Sequence, residues 1–219
     1  MKTGAVVVTD IVGYSKLTGD NQELALELLT EHDSIILKSI DDYNGKSLVN
    51  RGDGFVIFFS DSEKAILCSI DIQTKIKKRN KLSVKNRKFK IRIGIHSGTY
   101  QIQNGEYHGE CVDVASELEP LAPKGGILIS SILNTEVEYV RNIFTREYNT
   151  FKINKSNQKT YEVFNNIIDW YPKSKKIYVS DEKKYLVKMH YFYDKGDYSA
   201  SIKFANSIFE STKNKKLKD

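Results

Sequence analysis

Cysteine is scarce in this chain of 219 residues, which contains only Cys68 and Cys111. Two cysteines are too few for a disulfide framework, and their spacing does not fit a metal site, so both are expected to be reduced packing residues. No apolar run approaches the ~20 residues that cross a bilayer, and the N-terminus has no secretory pattern. We therefore expect a cytoplasmic protein without a membrane span.

Several catalytic signatures are also absent: the sequence has no Walker-type glycine loop, no Ser/His/Asp arrangement and no Cys/His cluster. Arginine is missing from residues 166–219, where twelve lysines and seven acids supply +5 of the net charge of +6. A basic tail attracts nucleic acid or anionic lipid. Because these lysines are scattered among acids, a solvated helical surface is the favoured interpretation, and nucleic acid is not an expected partner.

The apolar periodicity predicts one α+β domain. Ala5–Thr9 is a β-branched run typical of a buried strand, and Phe89–His96 alternates between apolar and other residues as a strand does. Ser47–Asn50 and Phe55–Phe59 read as a hairpin. The element order βαββαβ, followed by a helix and three further strands, predicts a ferredoxin-like fold, a mostly antiparallel sheet with helices on one face.

Capping residues predict where two of the helices begin. Asp20 with Glu23 forms one candidate capping box, and Ser60 with Glu63 forms another. The first of these helices is expected to bury an apolar stripe, which consists of Leu24, Leu28, Ile36 and Ile40.

The C-terminal part is expected to be separate from this domain. We predict a first domain at residues 1–165, a linker at 166–180 around Pro172, and a helical hairpin at 181–219, with helices over Asp181–Asp194 and Tyr198–Lys213. The segment YDKGDYSASIKFANSIFE resembles one tetratricopeptide-type hairpin. A single repeat cannot bury its own apolar face, so it should pack on the first domain or on a second chain.

Two aspartates carry the candidate chemistry. Asp10 follows a buried strand, and Asp53 lies in the turn of the predicted hairpin. If those strands are neighbours, two carboxylates converge at one end of the sheet, where hard oxygen ligands suit Mg²⁺ or Mn²⁺ with a nucleotide's phosphates. The turn formed by Ile11, Gly13 and Tyr14 precedes a helix and offers backbone N–H groups to phosphate. Alternatively, Asp10 is only a helix cap and Asp53 only a turn residue.

Five sequence blocks distinguish between these alternatives. They are VVVTDIVGYSKLT, NRGDGFVIFF, IRIGIHSG, YHGECVDVASELEPLAPKGGILIS and KTYEVF. In this order and spacing they resemble class III adenylate/guanylate cyclase domains, over about residues 4–165. The resemblance implies that Asp10 and Asp53 hold two divalent metals. One metal would activate the ribose 3′-hydroxyl for attack on the α-phosphate, and the other would hold the triphosphate as pyrophosphate leaves.

The chain departs from this family at the residues that read the base. Val49 stands where active members carry a purine-reading lysine, and Val49 cannot read a base edge. Glu106 matches a second base-reading position that is often Asp, and its acid can still accept a hydrogen bond. The phosphate-binding lysine of the family matches Lys155 or Lys152.

Two further departures lie on one helix. Asp113 replaces an Asn that orients the ribose, and Glu117 replaces an Arg that stabilises the transition state; at this spacing both face the same side. Losing one such charged donor costs ~3–4 kcal/mol in transition-state stabilisation, and a repelling anion adds to that. Arg51 either steers phosphate or pairs with an acid such as Glu117.

Members of the family form head-to-tail dimers in which each active site combines metal aspartates from one chain with Lys, Asn and Arg from the other. Three hypotheses follow. The chain is a half-site subunit that supplies Asp10 and Asp53 to a second cyclase domain, a regulatory pseudo-cyclase that binds nucleotide without turnover, or a homodimeric cyclase with altered, pyrimidine base choice. The third hypothesis accounts for Val49 but not for Glu117.

Overall fold

The computed structural model describes residues 2–50, 52–103, 106–170 and 181–216. Arg51 and most of the predicted linker lie outside these ranges. The strands of the described residues are β1 (Lys2–Ile11), β2 (Lys46–Asn50), β3 (Gly54–Phe59), β4 (Ile91–Gln103), β5 (Glu106–His108), β6 (Ile127–Ser130), β7 (Phe144–Ile153) and β8 (Ser156–Phe164). The helices are α1 (Tyr14–Asp20), α2 (Gln22–Asp42), α3 (Ser62–Leu82), α4 (Glu110–Leu118), α5 (Ser131–Val137), α6 (Ile167–Trp170), α7 (Asp181–Asp194) and α8 (Tyr198–Lys216).

The strands form one mixed sheet in the order β2-β3-β1-β4-β6-β8-β7, and β5 pairs with β4. All pairings are antiparallel except that of β4 with β6. The order β2-β3-β1-β4 is that of a βαββαβ unit with β1 and β3 side by side at its centre. The predicted α+β class and ferredoxin-like core are confirmed.

The main core lies between the sheet and the helices α2 and α3. Ile91, Ile93 and Ile95 are fully buried there, as the alternation in the sequence predicted. Leu28 and Ile36 of α2 pack into the same core. These residues give α2 and α3 a fixed position behind the strands that carry the aspartates.

Helix α4 packs on the opposite face of the sheet. A Cβ atom added to Gly94 of β4 would lie 2.5 Å from the carbonyl oxygen of Ala115 and 2.4 Å from the backbone nitrogen of Glu119. Only glycine therefore allows the helix to approach this closely. The expected helices on one face are α2 and α3, and α4 adds a layer on the other face, where Cys111 and Ala115 pack with Val6.

Both predicted capping residues were displaced by one position. The N-cap of α2 is Asn21, whose side chain accepts from the N–H of Leu24 at 3.0 Å. The N-cap of α3 is Asp61, which accepts from the N–H of Glu63 at 2.9 Å. Asp20 instead ends α1, a short helix that occupies the connection from β1.

The helices α7 and α8 are present as predicted and pack on the first domain through α7. Val187 is buried against Phe144 of β7 and against Trp170, which is fully buried. The Nζ of Lys183 donates to the carbonyl oxygen of Glu138 at 2.8 Å. The domain boundaries and the tetratricopeptide-like character of the hairpin remain predictions.

Candidate active site

Asp10 and Asp53 lie together at one end of the central strands. Asp10 is paired with Gly54 in the β1–β3 ladder, so Asp53 immediately precedes the residue opposite Asp10. The backbone N–H of Ile11 donates to the carbonyl oxygen of Asp53 at 3.3 Å, which ties the hairpin turn to the end of β1. Both carboxylates are partly exposed, and the charge of Asp53 is close enough to raise the pKa of Asp10.

Arg92 and Glu119 surround this pair. The Nη2 of Arg92 lies 3.2 Å from Oδ2 of Asp10, and its Nε donates to Oε1 of Glu119 at 2.9 Å. Burial raises the pKa of the Asp10 carboxyl, the negative charge of Asp53 raises it further, and Arg92 partly offsets both effects. Burial likewise raises the pKa of Glu119. Asp10 and Glu119 thus share one guanidinium, with Asp53 nearby as a third carboxyl group, and this charge balance favours a further cation.

The turn after β1 offers fewer backbone donors than the sequence suggested. The N–H of Ile11 is used by Asp53, and that of Val12 donates to the carbonyl oxygen of Lys90 at 2.9 Å. Within the described chain, the N–H groups of Gly13 and Tyr14 have no acceptor. Gly13 has a φ of 79°, a left-handed conformation that favours glycine and turns the chain into α1. Ile11 itself is buried in the core.

The donor set at this end of the sheet fits a divalent metal. Asp10 and Asp53 are hard oxygen ligands held close together, the type that Mg²⁺ and Mn²⁺ prefer. Over the described ranges no group of three or more His, Cys, Asp or Glu residues is arranged to hold a metal ion. Such a site would therefore depend on water and phosphate oxygens for its remaining ligands, as Mg²⁺ sites commonly do.

The two candidate base-reading residues are placed by their backbones. Val49 lies in β2 opposite Val56, next to a register shift, and Glu106 begins β5 opposite Gln103. Their side chains lie outside the part of the structure that can be described. Their proposed roles therefore remain predictions.

Asp113 and Glu117 lie exposed on α4, on the face that the helical spacing predicted. Oε2 of Glu117 accepts from the backbone N–H of Asn154 at 2.9 Å. Lys155 is the next residue, exposed in the turn between β7 and β8. Among the described contacts, none joins Asp113 or Glu117 to Asp10 or Asp53. One chain thus has two separate groups of candidate residues. The first is Asp10 with Asp53, and the second is Asp113 and Glu117 of α4 with Lys155 of the adjacent turn.

Arg92 and Glu119 were not singled out as site residues from the sequence. Arg92 stood on the polar side of an alternating strand, and Glu119 followed the helix that carries Asp113 and Glu117. The β1–β4 register pairs Arg92 with Asp10, and Glu119 reaches them because α4 packs closely over Gly94. The sequence feature that could have identified Arg92 is its place on the polar side of a strand predicted to lie in the same sheet as the strand before Asp10.

Solved structures confirm the fold. An adenylate/guanylate cyclase/hydrolase from Silicibacter pomeroyi superposes with a TM-score of 0.68 and 22% identity, covering 74% of this chain and 96% of that one. The adenylyl cyclase CyaB from P. aeruginosa superposes with a TM-score of 0.65 and 23% identity, covering 75% of this chain and 95% of that one. The guanylate cyclase domain of RhGC from Catenaria anguillulae, in complex with GTP, superposes with a TM-score of 0.59 and 20% identity. The match covers 75% of this chain and 97% of that one.

The sequence is also similar to parts of longer proteins. It is 26% identical over 140 residues to "Putative adenylate cyclase 3" of Rhizobium meliloti (strain 1021), an alignment that covers 64% of this chain and 23% of that protein. The chain therefore aligns with about a quarter of that relative. No described helix is long and apolar enough to cross a membrane. The family model for the adenylate and guanylate cyclase catalytic domain matches residues 2–166, and the chain belongs to this family.

Proposed function

We propose that this chain is a half-site cyclase subunit. It binds a divalent metal and a nucleoside triphosphate through Asp10 and Asp53, and it yields a 3′,5′-cyclic nucleotide only with a partner cyclase domain that supplies the missing groups. The observation that carries this proposal is the division of the chain. Asp10 pairs with Arg92 beside Asp53, whereas the side chain of Glu117, on α4, accepts a hydrogen bond from the backbone N–H of Asn154.

The aspartate end of the sheet has the charge needed to bind a metal–triphosphate complex. Asp10 and Asp53 would hold Mg²⁺ or Mn²⁺, which supplies positive charge at the triphosphate and the ribose 3′-oxygen. The N–H groups of Gly13 and Tyr14 are available to a phosphate oxygen, and Arg92 adds a cation beside Asp10. These groups bind and orient the substrate for in-line attack of the 3′-oxygen on the α-phosphorus, which releases pyrophosphate.

The same chain lacks suitable residues for the other half of the active site, which would bind the base, the ribose and the transferring phosphate. In a head-to-tail homodimer, Val49, Asp113 and Glu117 would face the metal aspartates of the partner. Val49 offers no hydrogen bond to a base, and Glu117 would place an anion near the transferring phosphate, where a cation is required. A partner chain with Lys, Asn and Arg at these positions would correct all three defects.

A regulatory pseudo-cyclase is the second candidate. The hydrogen bond from Asn154 to Glu117 favours it. Because Glu117 stabilises the turn between β7 and β8, this part of the chain supports the fold and does not supply a catalytic cation. In this case the chain binds metal and nucleotide and alters the activity or assembly of another protein without turnover.

Complementation distinguishes the two functions. The purified chain should be mixed with a cyclase domain that retains Lys, Asn and Arg but has alanine at both metal-ligand positions. The half-site proposal expects cyclic nucleotide formation by the mixture and none by either protein alone. Asp53→Ala in this chain should abolish the product, while Asp41→Ala, a change at an exposed aspartate of α2, should not. A co-purifying heterodimer without product would support the pseudo-cyclase.

A further inference from the structure

A cavity of about 740 Å³ lies on the helix side of the sheet, between the start of α1, the C-terminal part of α3 and the segment leading into β4. Its volume is within the ~300–1,000 Å³ typical of small-molecule sites. Asp10, Asp53, Arg92 and Glu119 do not line it. Ile11, Gly13 and Tyr14 of the turn after β1 do line it, so the cavity adjoins the candidate active site without containing its charged side chains.

The inner part of this cavity is apolar. It is formed by side chains from three helices and the chain before β4, namely Leu17, Leu28, Ile76 and Phe89, together with Ile11. Leu28, Ile76 and Phe89 are nearly fully buried, and Leu17 is half-buried. Gln73 and Asn80 also line the cavity, but their amide groups donate to backbone carbonyl oxygens, so this surface suits an apolar ligand.

The outer part of the cavity is positively charged. Five exposed lysines line it, and they are Lys77, Lys81, Lys88, Lys90 and Lys124. The aliphatic part of Lys90 lies 3.7 Å from where a Cβ of Gly125 would be, so this side chain runs along the cavity wall. We refer to these five residues as the lysine rim.

Lys77 is close enough to Glu162 for their charges to interact, but the other four lysines of the rim have no acidic partner among the described residues. Two acids of α2, Glu27 and Glu31, are paired with arginines: Arg87 contacts both at 2.6 and 2.8 Å, and Arg79 contacts Glu31 at 2.7 Å. Within the described ranges, Lys81, Lys88, Lys90 and Lys124 form no ion pair with an acidic side chain. Their charges are left to solvent and to whatever ligand enters the cavity.

We propose that this cavity binds a single-chain amphiphile with an anionic head. The apolar chain would lie against Leu17, Leu28 and Ile76, and the head group would lie among the lysines. Both halves are needed, because an inorganic anion would leave the apolar interior in water and a neutral hydrocarbon would leave the lysines without a counter-charge. A carboxylate head and a phosphomonoester head share this chemistry, and the experiment separates them.

Calorimetric titration of the full chain tests the proposal. Decanoate and decyl phosphate, each below its micellar concentration, are compared with decanol, decyltrimethylammonium and inorganic phosphate. Saturable binding of one ligand per chain is expected for at least one of the two anionic amphiphiles, and the stronger one identifies the head group. The three comparison ligands should bind at least about tenfold more weakly, which corresponds to ~1.4 kcal/mol.

Two controls locate the site. Replacing Lys81, Lys88 and Lys124 with Gln should weaken binding by about tenfold, since each exposed charge pair contributes ~0.2–1 kcal/mol. The same replacement at Lys38, Lys64 and Lys78, which are exposed lysines that do not line the cavity, should leave affinity unchanged. Ligand should shift the methyl resonances of Leu17 and Leu28 but not those of Leu133 on α5.

Each contrary result overturns the proposal. These results are the absence of saturable binding for both anionic amphiphiles, wild-type affinity after the rim substitutions, equal loss in both sets of variants, or methyl shifts away from the cavity. All substituted lysines are exposed, so the variants are expected to fold, and thermal unfolding verifies this. The test requires neither metal nor nucleotide, so its outcome is independent of the proposed cyclase function.

Discussion

The carboxylate of Glu117 and the backbone N–H of Asn154 form a hydrogen bond of 2.9 Å that joins α4 to the turn between β7 and β8. In that turn Asn154 and Lys155 have φ values of 45° and 64°, a left-handed conformation that side chains other than Gly and Asn adopt at a cost of ~1–2 kcal/mol. An acceptor at Glu117 helps to hold this turn. The position at which the family resemblance calls for Arg thus has a structural role in this chain.

Truncation of Glu117 should measure that role. Glu117→Ala removes the acceptor and should lower the free energy of unfolding by ~0.5–1.5 kcal/mol, near the lower limit because the bond is exposed. Glu117→Gln retains an acceptor oxygen and should change stability little. Urea unfolding of the three proteins gives the values. Equal stability of Glu117→Ala and the wild type would show that the hydrogen bond contributes nothing.

Metal and nucleotide should together raise the melting temperature. At 100 times its Kd, a ligand specific for the folded state stabilises it by ~2.7 kcal/mol. We expect this shift with Mn²⁺ or Mg²⁺ plus at least one of the four nucleoside triphosphates, and we expect Asp10→Asn to abolish it. Asp41→Asn, at an exposed aspartate of α2, is the matched control. The same shift in Asp10→Asn would place the ligand elsewhere.

The wild-type protein alone should form little or no cyclic AMP or cyclic GMP. The combined changes Val49→Lys, Asp113→Asn and Glu117→Arg should create activity, since residues that act as a unit are strongly non-additive and single changes are not expected to suffice. Asp53→Ala added to the triple variant should abolish it. Robust turnover by the wild type, sensitive to Asp10→Ala, would contradict this prediction, and cyclic CMP or UMP as product would then favour the altered-base hypothesis.

The exposed side of the helical hairpin should contribute to self-association. Tyr198, Ile202 and Phe209 are 59%, 60% and 67% exposed on α8, although α7 packs on the first domain. Ile202→Lys with Phe209→Lys should lower the oligomeric mass in light scattering, because a lysine in an apolar contact is costly. Ser34→Lys with Thr135→Lys, at exposed residues of α2 and α5, controls for the added charge. An unchanged mass in the double variant would exclude this surface as an interface.

Both cysteines should be unreactive in the folded protein. Cys68 and Cys111 are 1% and 0% exposed, and burial raises the pKa of Cys68 to about 12 and also raises that of Cys111. Because the thiolate is the reactive form, neither should react with a thiol reagent at mildly alkaline pH. Two equivalents of the reagent should react with the unfolded wild-type protein, and one equivalent with the unfolded Cys111→Ser variant. Rapid labelling of the native protein would contradict this burial.

Local sequence patterns predicted most of the strands, the long helices and the juxtaposition of Asp10 and Asp53, but not the short helices α1 and α5. Apolar alternation in β4 and the β-branched run of β1 reflect local periodicity, and the position of Asp53 in a short hairpin turn brings it to the end of the neighbouring strand. Helix starts were displaced by one residue, because Asp20 and Asn21 are both good caps and the preceding α1 decided between them. Such competition between adjacent residues is not resolved by local preference.

The partners of these residues became apparent only in the folded chain. The ion pair between Arg92 and Asp10 depends on the register of β1 with β4, two strands far apart in the chain. The bond between Glu117 and Asn154 depends on α4 packing across the second face of the sheet, which the absence of a side chain at Gly94 permits. The lysine rim is likewise assembled from separate segments. Contacts between distant segments depend on how whole elements pack, and no local pattern of residues encodes that packing.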